Sequence, residues 1–173
     1  GSDGGRLACD GVVVAAGAHS SRLAATAGDS VAVYPVKGYS ITVGLSSPLA
    51  QDAAPWVSLL DDEAKIVCSR LGAGRLRIAG TAEIAGWDKA ISGRRIESLV
   101  AWVRQHFPDV PTDDVAPWAG LRPMSPSMTP IVRRGRRPGV YYNTGHGHLG
   151  WTLAAATAEI VAELIADDLK PGG

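Results

Sequence analysis

Hydrophobic residues are spaced in two different ways along the chain, and each spacing predicts one kind of element. Short apolar or alternating runs between glycine-, aspartate- and proline-containing turns predict strands at residues 9–17, 39–43, 56–60, 65–69, 76–80 and 118–122. A helical spacing of apolar residues predicts helices at residues 18–25, 92–107 and 153–169. Because the strands between residues 39 and 80 follow one another through short turns, they are predicted to form an antiparallel sheet.

The order of these elements predicts an interleaved α/β (α+β) architecture with two lobes. Residues 1–34 and 116–173 are assigned to a first lobe, and residues 35–115 to a second lobe built on the antiparallel sheet. In the first lobe, the three valines at 12–14 have no polar alternation and predict a strand buried on both faces. Residues 33–38 contain a proline and a glycine, which predicts an irregular segment where the chain crosses between lobes.

The composition argues against one class of partner. Lysine plus arginine number 17 and aspartate plus glutamate number 17, and a net charge of zero is not that of a nucleic-acid-binding protein. The two cysteines, Cys9 and Cys68, lie far apart in strand-like runs, which predicts buried free thiols and a reducing compartment. No apolar run approaches the roughly 20 residues that a membrane-spanning helix needs.

The most informative stretch is NTGHGHLGWT at residues 143–152, between a short apolar run and the last predicted helix. A strand, a glycine-rich turn and a helix in that order direct backbone N–H groups and the positive end of the helix dipole at one point. Three glycines within six residues allow a flat ligand to approach the main chain. The alternative interpretation is a loop that only joins a strand to a helix.

Three runs together carry a resemblance to a known family: YPVKGYS at residues 34–40, GLRPM at 120–124, and NTGHGHLGWT at 143–152. In these runs the chain resembles the FAD-dependent D-amino acid dehydrogenases, which belong to the wider family of D-amino acid, glycine and sarcosine oxidases. The resemblance extends over residues 15–169. It implies a partial FAD-binding lobe interleaved with an antiparallel-sheet substrate lobe.

The resemblance also implies a missing part. Enzymes of this family begin with a strand, the phosphate-binding fingerprint G-x-G-x-x-G and a helix. We expect this chain to hold no copy of that fingerprint and interpret it as the C-terminal part of such an enzyme. The expected partners are therefore an N-terminal FAD-binding segment, a D-amino acid substrate, and a quinone or electron carrier as the acceptor.

The cofactor contacts follow from the same resemblance. In the family, the segment after the first predicted strand passes beside the dinucleotide, although a simple packing turn is the alternative for that segment. The residues implied as FAD contacts are Ala16, Gly17, Gly145, His146, Gly147, Leu149, Gly150, Trp151 and Thr152.

Arg122 is the first candidate for substrate binding. It lies between Leu121 and Pro123, which fix the backbone on both sides, and a guanidinium held in this way suits bidentate capture of a carboxylate. The resemblance implies the same role, because an arginine in this setting lies at the substrate end of the flavin. A salt bridge at a lobe interface is the alternative.

Lys37 and Tyr39 are the other two catalytic candidates. A desolvated Lys37 beside a flavin would stabilise negative charge on the reduced ring, whereas a solvent-facing loop lysine is the alternative. Tyr39 is expected to line the substrate site or, alternatively, to be a half-buried strand residue.

Two local departures from the family pattern stand out. The family more often has glycine where Met128 stands, and the turn there favours glycine. His148 stands where a smaller residue is common. His146 and His148 have no carboxylate or cysteine near them in sequence, so no metal site is predicted.

The function expected from these observations is FAD-dependent oxidative deamination of D-amino acids to 2-oxo acids and ammonia. Two alternatives remain: an oxidase of glycine, sarcosine or a similar amine, and a non-catalytic truncated remnant that does not bind FAD. The expected location is the cytoplasm or the inner face of a bacterial membrane, as a peripheral protein.

Overall fold

The fold was analysed in a computed structural model, which describes residues 4–170. The chain divides into two compact units. Unit 1 combines Gly1–Pro35 with Arg122–Gly173, and unit 2 is the continuous segment Val36–Leu121.

Unit 1 is built on a three-stranded sheet in the order β1-β8-β7. The strands are β1 (Val12–Val14), β7 (Ile131–Arg134) and β8 (Val140–Thr144). β1 pairs with β8 in parallel, and β7 pairs with β8 in antiparallel orientation. A single 3-10 turn at Gly17–His19 leads into α1 (Ser20–Thr26), and the last helix, α4, spans Gly150–Leu169.

Unit 2 is built on a five-stranded sheet in the order β3-β4-β5-β2-β6. Its strands are β2 (Tyr34–Gly44), β3 (Leu59–Asp61), β4 (Ile66–Arg70), β5 (Arg75–Glu83) and β6 (Val115–Met124). β5 pairs antiparallel with both β2 and β4, as the spacing of turns predicts. The helices are α2 (Pro48–Ala53) and α3 (Gly93–His106).

The core of unit 2 lies between its sheet and α3. Leu76 and Ile78, two positions apart in β5, are fully buried together with Leu99 and Val103 of α3. Burial of alternate strand positions against an amphipathic helix is the arrangement that the hydrophobic spacing predicts. The mixed α/β fold with an antiparallel sheet is therefore confirmed.

The prediction of a first strand buried on both faces is wrong. β1 is only three residues long, and Val12 and Val13 are 49% and 40% exposed while Val14 is buried. The reason is that β1 pairs with one strand and forms an edge of the three-stranded sheet in the part of the chain that the structure describes. Cys9 precedes the strand and is exposed, so only Cys68 is the buried free thiol that was predicted.

The predicted irregular segment at residues 33–38 is instead part of a long strand. β2 runs through Pro35 and Gly38, and the irregularity is confined to a register shift between Lys37 and Tyr39. An extra residue at such a shift bends a strand without ending it. Proline and glycine therefore mark a distortion of β2 rather than its boundary.

Helix α4 packs against β7 and β8 through one narrow face. Thr157 and Val161 are buried on that face, whereas the apolar side chain of Ile160 is 47% exposed. The helix is rich in alanine, so hydrophobic spacing alone identifies its inner face poorly. In the described part of the chain, no helix combines the length and apolar character needed to cross a bilayer.

Met128 has the backbone conformation that the sequence predicted to be unfavourable. Its φ is +61°, in the left-handed region, within the turn that joins β6 to β7. The turn is closed by a hydrogen bond from Met128 N to Ser125 O (3.1 Å). For a residue with a Cβ, this conformation costs about 1–2 kcal/mol.

We predict that Met128→Gly stabilises the protein by about 0.5–1 kcal/mol, because relief of the left-handed strain exceeds the greater flexibility of glycine in the unfolded chain. The measurement is the midpoint of urea unfolding. Ser127→Gly, one residue earlier, adds the same flexibility at a position without positive φ and also removes the hydroxyl that is hydrogen-bonded to Thr129 (2.7 Å), so it should destabilise. A lower midpoint for Met128→Gly would contradict the argument.

Candidate functional site

The parallel pairing of β1 and β8 brings two turns to the same edge of the sheet. Val14 is in register with Tyr142, so the segments that follow the two strands begin side by side. The hydroxyl of Thr144 lies 2.7 Å from Ser20 Oγ and 3.2 Å from Gly17 O. Both hydroxyl side chains are buried, and this contact fixes the first turn against the end of β8.

A cavity of about 220 Å³ opens at this edge. Its lining consists mostly of small side chains: Ala15, Gly17, Asn143, Thr144, His146, Gly150, Ala154 and Thr157. Among the described residues, the buried Oδ1 atom of Asn143 has no hydrogen-bond partner. A buried carbonyl oxygen of this kind is costly unless a donor reaches it, so the cavity fits a ligand with an N–H or O–H group.

The second turn, which we call the glycine turn, comprises residues 145–150. Gly145 and Gly147 have φ values of +74° and +59°, which only glycine adopts at little cost. A Cβ at Gly147 would also lie 2.8 Å from the sulfur of Met124. Both glycines are therefore required by the backbone, and Gly147 also by its packing against Met124.

The prediction that the chain contains no copy of the dinucleotide fingerprint sequence is wrong. Residues 145–150 read G-x-G-x-x-G and lie between strand β8 and helix α4. In the fingerprint the second glycine allows the backbone to approach a pyrophosphate. Here the side of Gly147 where a Cβ would project faces Met124, and Gly147 does not line the cavity. The match therefore describes a tight turn and does not by itself identify a pyrophosphate site.

The start of α4 is nevertheless suited to an anion. The residue before the helix, Leu149, makes no side-chain capping bond, and the first turn contains no acidic residue. The first N–H groups of a helix have no partner within it, and the N-terminus carries about half a positive charge. Because Gly150 lines the cavity, these groups lie at its border.

Arg122 is tied to the glycine turn through its neighbours. Gly147 N donates to Pro123 O (2.9 Å), and Met124 forms a β-bridge with His146. The structure therefore brings together two of the sequence runs that carried the family resemblance. Partial burial lowers the pKa of Arg122, yet an arginine remains charged at any physiological pH.

Lys37 and Tyr39 meet in unit 2 as parts of one polar cluster. The ammonium group of Lys37 is almost fully buried and lies 3.3 Å from Glu83 Oε2, 3.2 Å from Asp88 Oδ2 and 3.0 Å from Ala90 O. The hydroxyl of Tyr39 donates to Glu83. A side-chain hydrogen bond with Tyr39, together with Asp88 and Glu83, raises the pKa of Lys37 despite its desolvation. Tyr39 and Lys37 lower the pKa of Glu83, and the backbone N–H of Ala90 and Lys37 lower that of Asp88.

These contacts limit what Lys37 can do chemically. An ammonium group has three N–H donors, and three acceptors surround it. The cluster of one cation and two carboxylates has a net charge of −1, so it does not attract an anion.

The implied cofactor contacts divide into three groups. Gly17, His146 and Gly150 line the cavity, whereas Ala16, Gly145 and Gly147 shape the adjoining backbone. Leu149, Trp151 and Thr152 are exposed, and Trp151 is 98% exposed.

Sequence reasoning missed five cavity residues: Ala15, Asn143, Thr144, Ala154 and Thr157. A signal for two of them was present, because positions 150, 154 and 157 lie on one face of a helix. Asn143 and Thr144 were within the glycine-rich run but were not singled out. Their significance depends on the pairing of β8 with β1, which the sequence does not specify.

His146 is held in one orientation by α4. Its Nε2 atom lies 3.0 Å from Thr157 Oγ1, which in turn donates to Leu153 O (3.0 Å). Thr157 Oγ1 also lies 3.3 Å from Ala154 O, and the tautomer of His146 decides which group donates in the hydrogen bond between His146 and Thr157. Burial lowers the pKa of His146. Among residues 4–170, no group of three or more His, Cys, Asp or Glu side chains is arranged to hold a metal ion.

We predict that His146 makes the protein less stable below about pH 6.5, where the unfolded histidine takes up a proton that the folded ring resists. The effect should be below about 1 kcal/mol, because the ring is partly solvated. The measurement compares urea midpoints at pH 7.5 and 5.5. His146→Gln should lose less stability between these pH values than the wild type, and an equal loss would contradict the prediction.

Comparison with known proteins shows what this chain is similar to. A family model described as FAD dependent oxidoreductase matches residues 1–164. The chain is 60% identical over 163 residues to D-amino acid dehydrogenase 3 of Mesorhizobium japonicum, covering 94% of this chain and 40% of that protein. It is 45% identical over 168 residues to D-amino acid dehydrogenase of Dechloromonas aromatica, covering 95% and 39%.

The fold has a counterpart of known structure. Glycine oxidase from Geobacillus kaustophilus superposes with a TM-score of 0.82 at 27% identity, covering 95% of this chain and 43% of that protein. The chain thus spans about two-fifths of the length of the curated relatives that it matches.

Proposed function

Because the FAD-dependent oxidoreductase model matches residues 1–164, the chain belongs to that family, and we propose that it forms part of a D-amino acid dehydrogenase. The proposed reaction is oxidation of a D-amino acid to an imine, which hydrolyses to a 2-oxo acid and ammonia. Support comes from the name D-amino acid dehydrogenase, which two relatives at 60% and 45% identity share.

The observation that carries the proposal is the attachment of Arg122 to the glycine turn. A permanent cation lies one residue before Pro123, whose carbonyl accepts the hydrogen bond from Gly147 N. An amino acid substrate has a carboxylate to be bound and a Cα–H bond to be placed against an electron acceptor. Arg122 is suited to bind the carboxylate. The cavity beside the turn is suited to hold the electron acceptor, against which the Cα–H bond is placed.

The residues that line the cavity fit part of an FAD molecule. We propose that the N–H groups at the start of α4 face its electron-rich atoms and that Asn143 Oδ1 accepts a hydrogen bond from it. When bound, the flavin accepts the hydride released by the substrate. The chain's own residues hold and orient both molecules.

The remaining site residues receive different roles in this proposal. Gly17, His146 and Gly150 are proposed to contact FAD at the cavity, with Ala16, Gly145 and Gly147 shaping the main chain beside it. Leu149, Trp151 and Thr152 are proposed as contacts at the rim. Lys37 and Tyr39 are proposed to position the substrate lobe by fixing the register shift in β2.

The two units are assigned different tasks. Unit 1 is proposed as the C-terminal portion of the FAD-binding lobe, completed by an upstream FAD-binding segment, and unit 2 as the substrate lobe. The exposed valines of β1 support a missing neighbour, because an edge strand with apolar side chains is seldom left uncovered. A quinone or an electron carrier is proposed as the final acceptor, with the enzyme in the cytoplasm or at the inner face of the membrane.

A chimera tests the proposed function. The segment of the Mesorhizobium japonicum protein that aligns with this chain is replaced by residues 1–164, and reduction of a quinone-like dye is measured with D-alanine, L-alanine and glycine. Reduction that depends on D-alanine supports the proposal. A preference for glycine would favour the amine-oxidase alternative, which the likeness to glycine oxidase supports. A colourless chimera would favour the non-catalytic remnant.

We predict that Arg122→Ala in the active chimera lowers kcat/KM for D-alanine by roughly 30-fold or more, because loss of a buried charged hydrogen bond to a carboxylate costs about 2–5 kcal/mol. Steady-state dye reduction measures the effect. Arg94→Ala removes an equal charge from an exposed position on α3 and should leave kcat/KM unchanged. Equal activity of the Arg122 variant and the parent would exclude Arg122 as the carboxylate ligand.

We also predict that Gly147→Val lowers the flavin content of the chimera, because valine is strained at φ +59° and its Cβ would collide with Met124. The ratio of flavin to protein absorbance gives the occupancy. Gly74→Val is the matched control, since its φ is not positive and a Cβ there has open space. If Gly147→Val keeps full flavin content and an unshifted reduction potential, the glycine turn is only a connector.

A further inference from the structure

Arg77 projects from the face of the unit 2 sheet that is opposite to α3. Its neighbours along β5, Leu76 and Ile78, are fully buried in the core that α3 covers. Since successive side chains of a strand point to opposite faces, Arg77 lies on the other face of the sheet. It is partly buried there.

The guanidinium of Arg77 is held by two neighbours, and neither is an acid. Nη2 donates to Ser40 Oγ (3.0 Å), and the guanidinium carbon lies 5.3 Å from the centre of the Trp118 ring. In contrast, Arg134 and Arg136 each pair with a carboxylate. Within the part of the chain that the structure describes, Arg77 forms no salt bridge, and four of its five N–H donors have no protein acceptor.

Residues with hydroxyl groups flank Arg77 on both neighbouring strands. Arg77 is in register with Thr42 of β2 on one side and with Ser69 of β4 on the other. The hydroxyl of Ser69 is hydrogen-bonded to that of Ser58 (3.1 Å). A cation among hydroxyl groups with no carboxylate as a direct neighbour is a binding environment for an oxyanion.

Trp118 is itself held in place under the guanidinium. Its indole ring lies over Gly120, where any Cβ would approach the ring carbons to within 2.1–2.8 Å. The glycine thus provides space for the ring, which contacts the guanidinium of Arg77 through a cation–π interaction. Trp118 is 55% exposed, so it offers apolar surface beside the positive charge.

We propose that Arg77, Ser40 and Trp118 form a second anion site, which binds the carboxylate of a small organic acid. The free donors of Arg77 match the two oxygens of a carboxylate, and the indole contacts the carbon atoms attached to it. This site is separate from the role proposed for Arg122 and does not depend on bound FAD or on enzymatic activity.

The test is an NMR titration of the ¹⁵N-labelled chain with sodium acetate, with sodium chloride adjusted to keep the ionic strength constant. The Nε–H signal of Arg77 and the indole N–H signal of Trp118 are expected to shift and to saturate in the millimolar range. Chloride has one acceptor atom and cannot form the two parallel hydrogen bonds that a carboxylate forms, so chloride should shift these signals less and without saturation in the same range. Equal shifts with acetate and chloride would overturn the proposal.

Three variants complete the experiment. Arg77→Gln should weaken acetate binding by roughly tenfold or more, because a charged hydrogen bond is lost, and Arg77→Lys should weaken it less. Arg94→Gln removes the same charge from α3 and should bind acetate as the wild type does. Unchanged binding by Arg77→Gln would overturn the proposal. If that variant does not fold, Trp118→Leu at the exposed indole should weaken binding severalfold, and wild-type affinity there would overturn it.

Discussion

The parallel pairing of β1 with β8 is the constraint on which the rest of unit 1 depends. Parallel strands end at the same edge of a sheet, so the segments after Val14 and Thr144 must meet there. The buried contact between Thr144 and Ser20 holds the two segments together. A one-residue change in the register of β8 would turn Thr144 away from Ser20 and remove the cavity.

A second buried contact holds this pairing from the opposite end of the sheet. The carboxylate of Asp29 accepts hydrogen bonds from Tyr142 Oη (2.8 Å) and Arg136 N (3.0 Å). Burial by itself would raise the pKa of Asp29, but these hydrogen bonds outweigh it and lower the pKa. Asp29 therefore stabilises the fold in its charged form above the ordinary carboxyl range, and its contribution decreases as the pH falls through its lowered pKa.

The fold could be predicted from the sequence where local pattern and tertiary structure agree. The apolar residues of β5 and those of α3 pack into one core, so the hydrophobic spacing of each segment predicts its element correctly. Predictions failed where the decisive interaction lies between distant residues. Val12 and Val13 have the composition of a central strand, but burial depends on what covers them. Pro35 and Gly38 usually interrupt strands, yet β2 continues through both because β5 pairs with it on either side of the register shift.

Only part of the candidate site could be predicted from the sequence. The glycine turn could be located from sequence, because positive φ values restrict Gly145 and Gly147 to glycine. The fingerprint sequence within it does not identify its function, since positive φ values alone require glycine at 145 and 147, and Gly147 also lies against Met124. Asn143 is an ordinary polar residue in the sequence, and only the folded sheet shows that its carbonyl oxygen is buried and needs a donor.

The charges around Lys37 and Arg122 show why residue type alone does not identify an anion-binding cation. Lys37 is the more deeply buried of the two, and desolvation alone would lower its pKa. Hydrogen bonding to Tyr39, Asp88 and Glu83 reverses that effect, but two carboxylates leave the cluster with a net negative charge.

An anion near Lys37 would have to compete with these two carboxylates for the N–H donors of the ammonium group. At the glycine turn the balance is different. The start of α4 contributes a partial positive charge with no acidic residue in its first turn, and Arg122 is attached to the same turn through Pro123. The negative groups of a ligand are therefore drawn to the start of α4 in unit 1 and not to the cluster at Lys37, where two carboxylates already face the ammonium group.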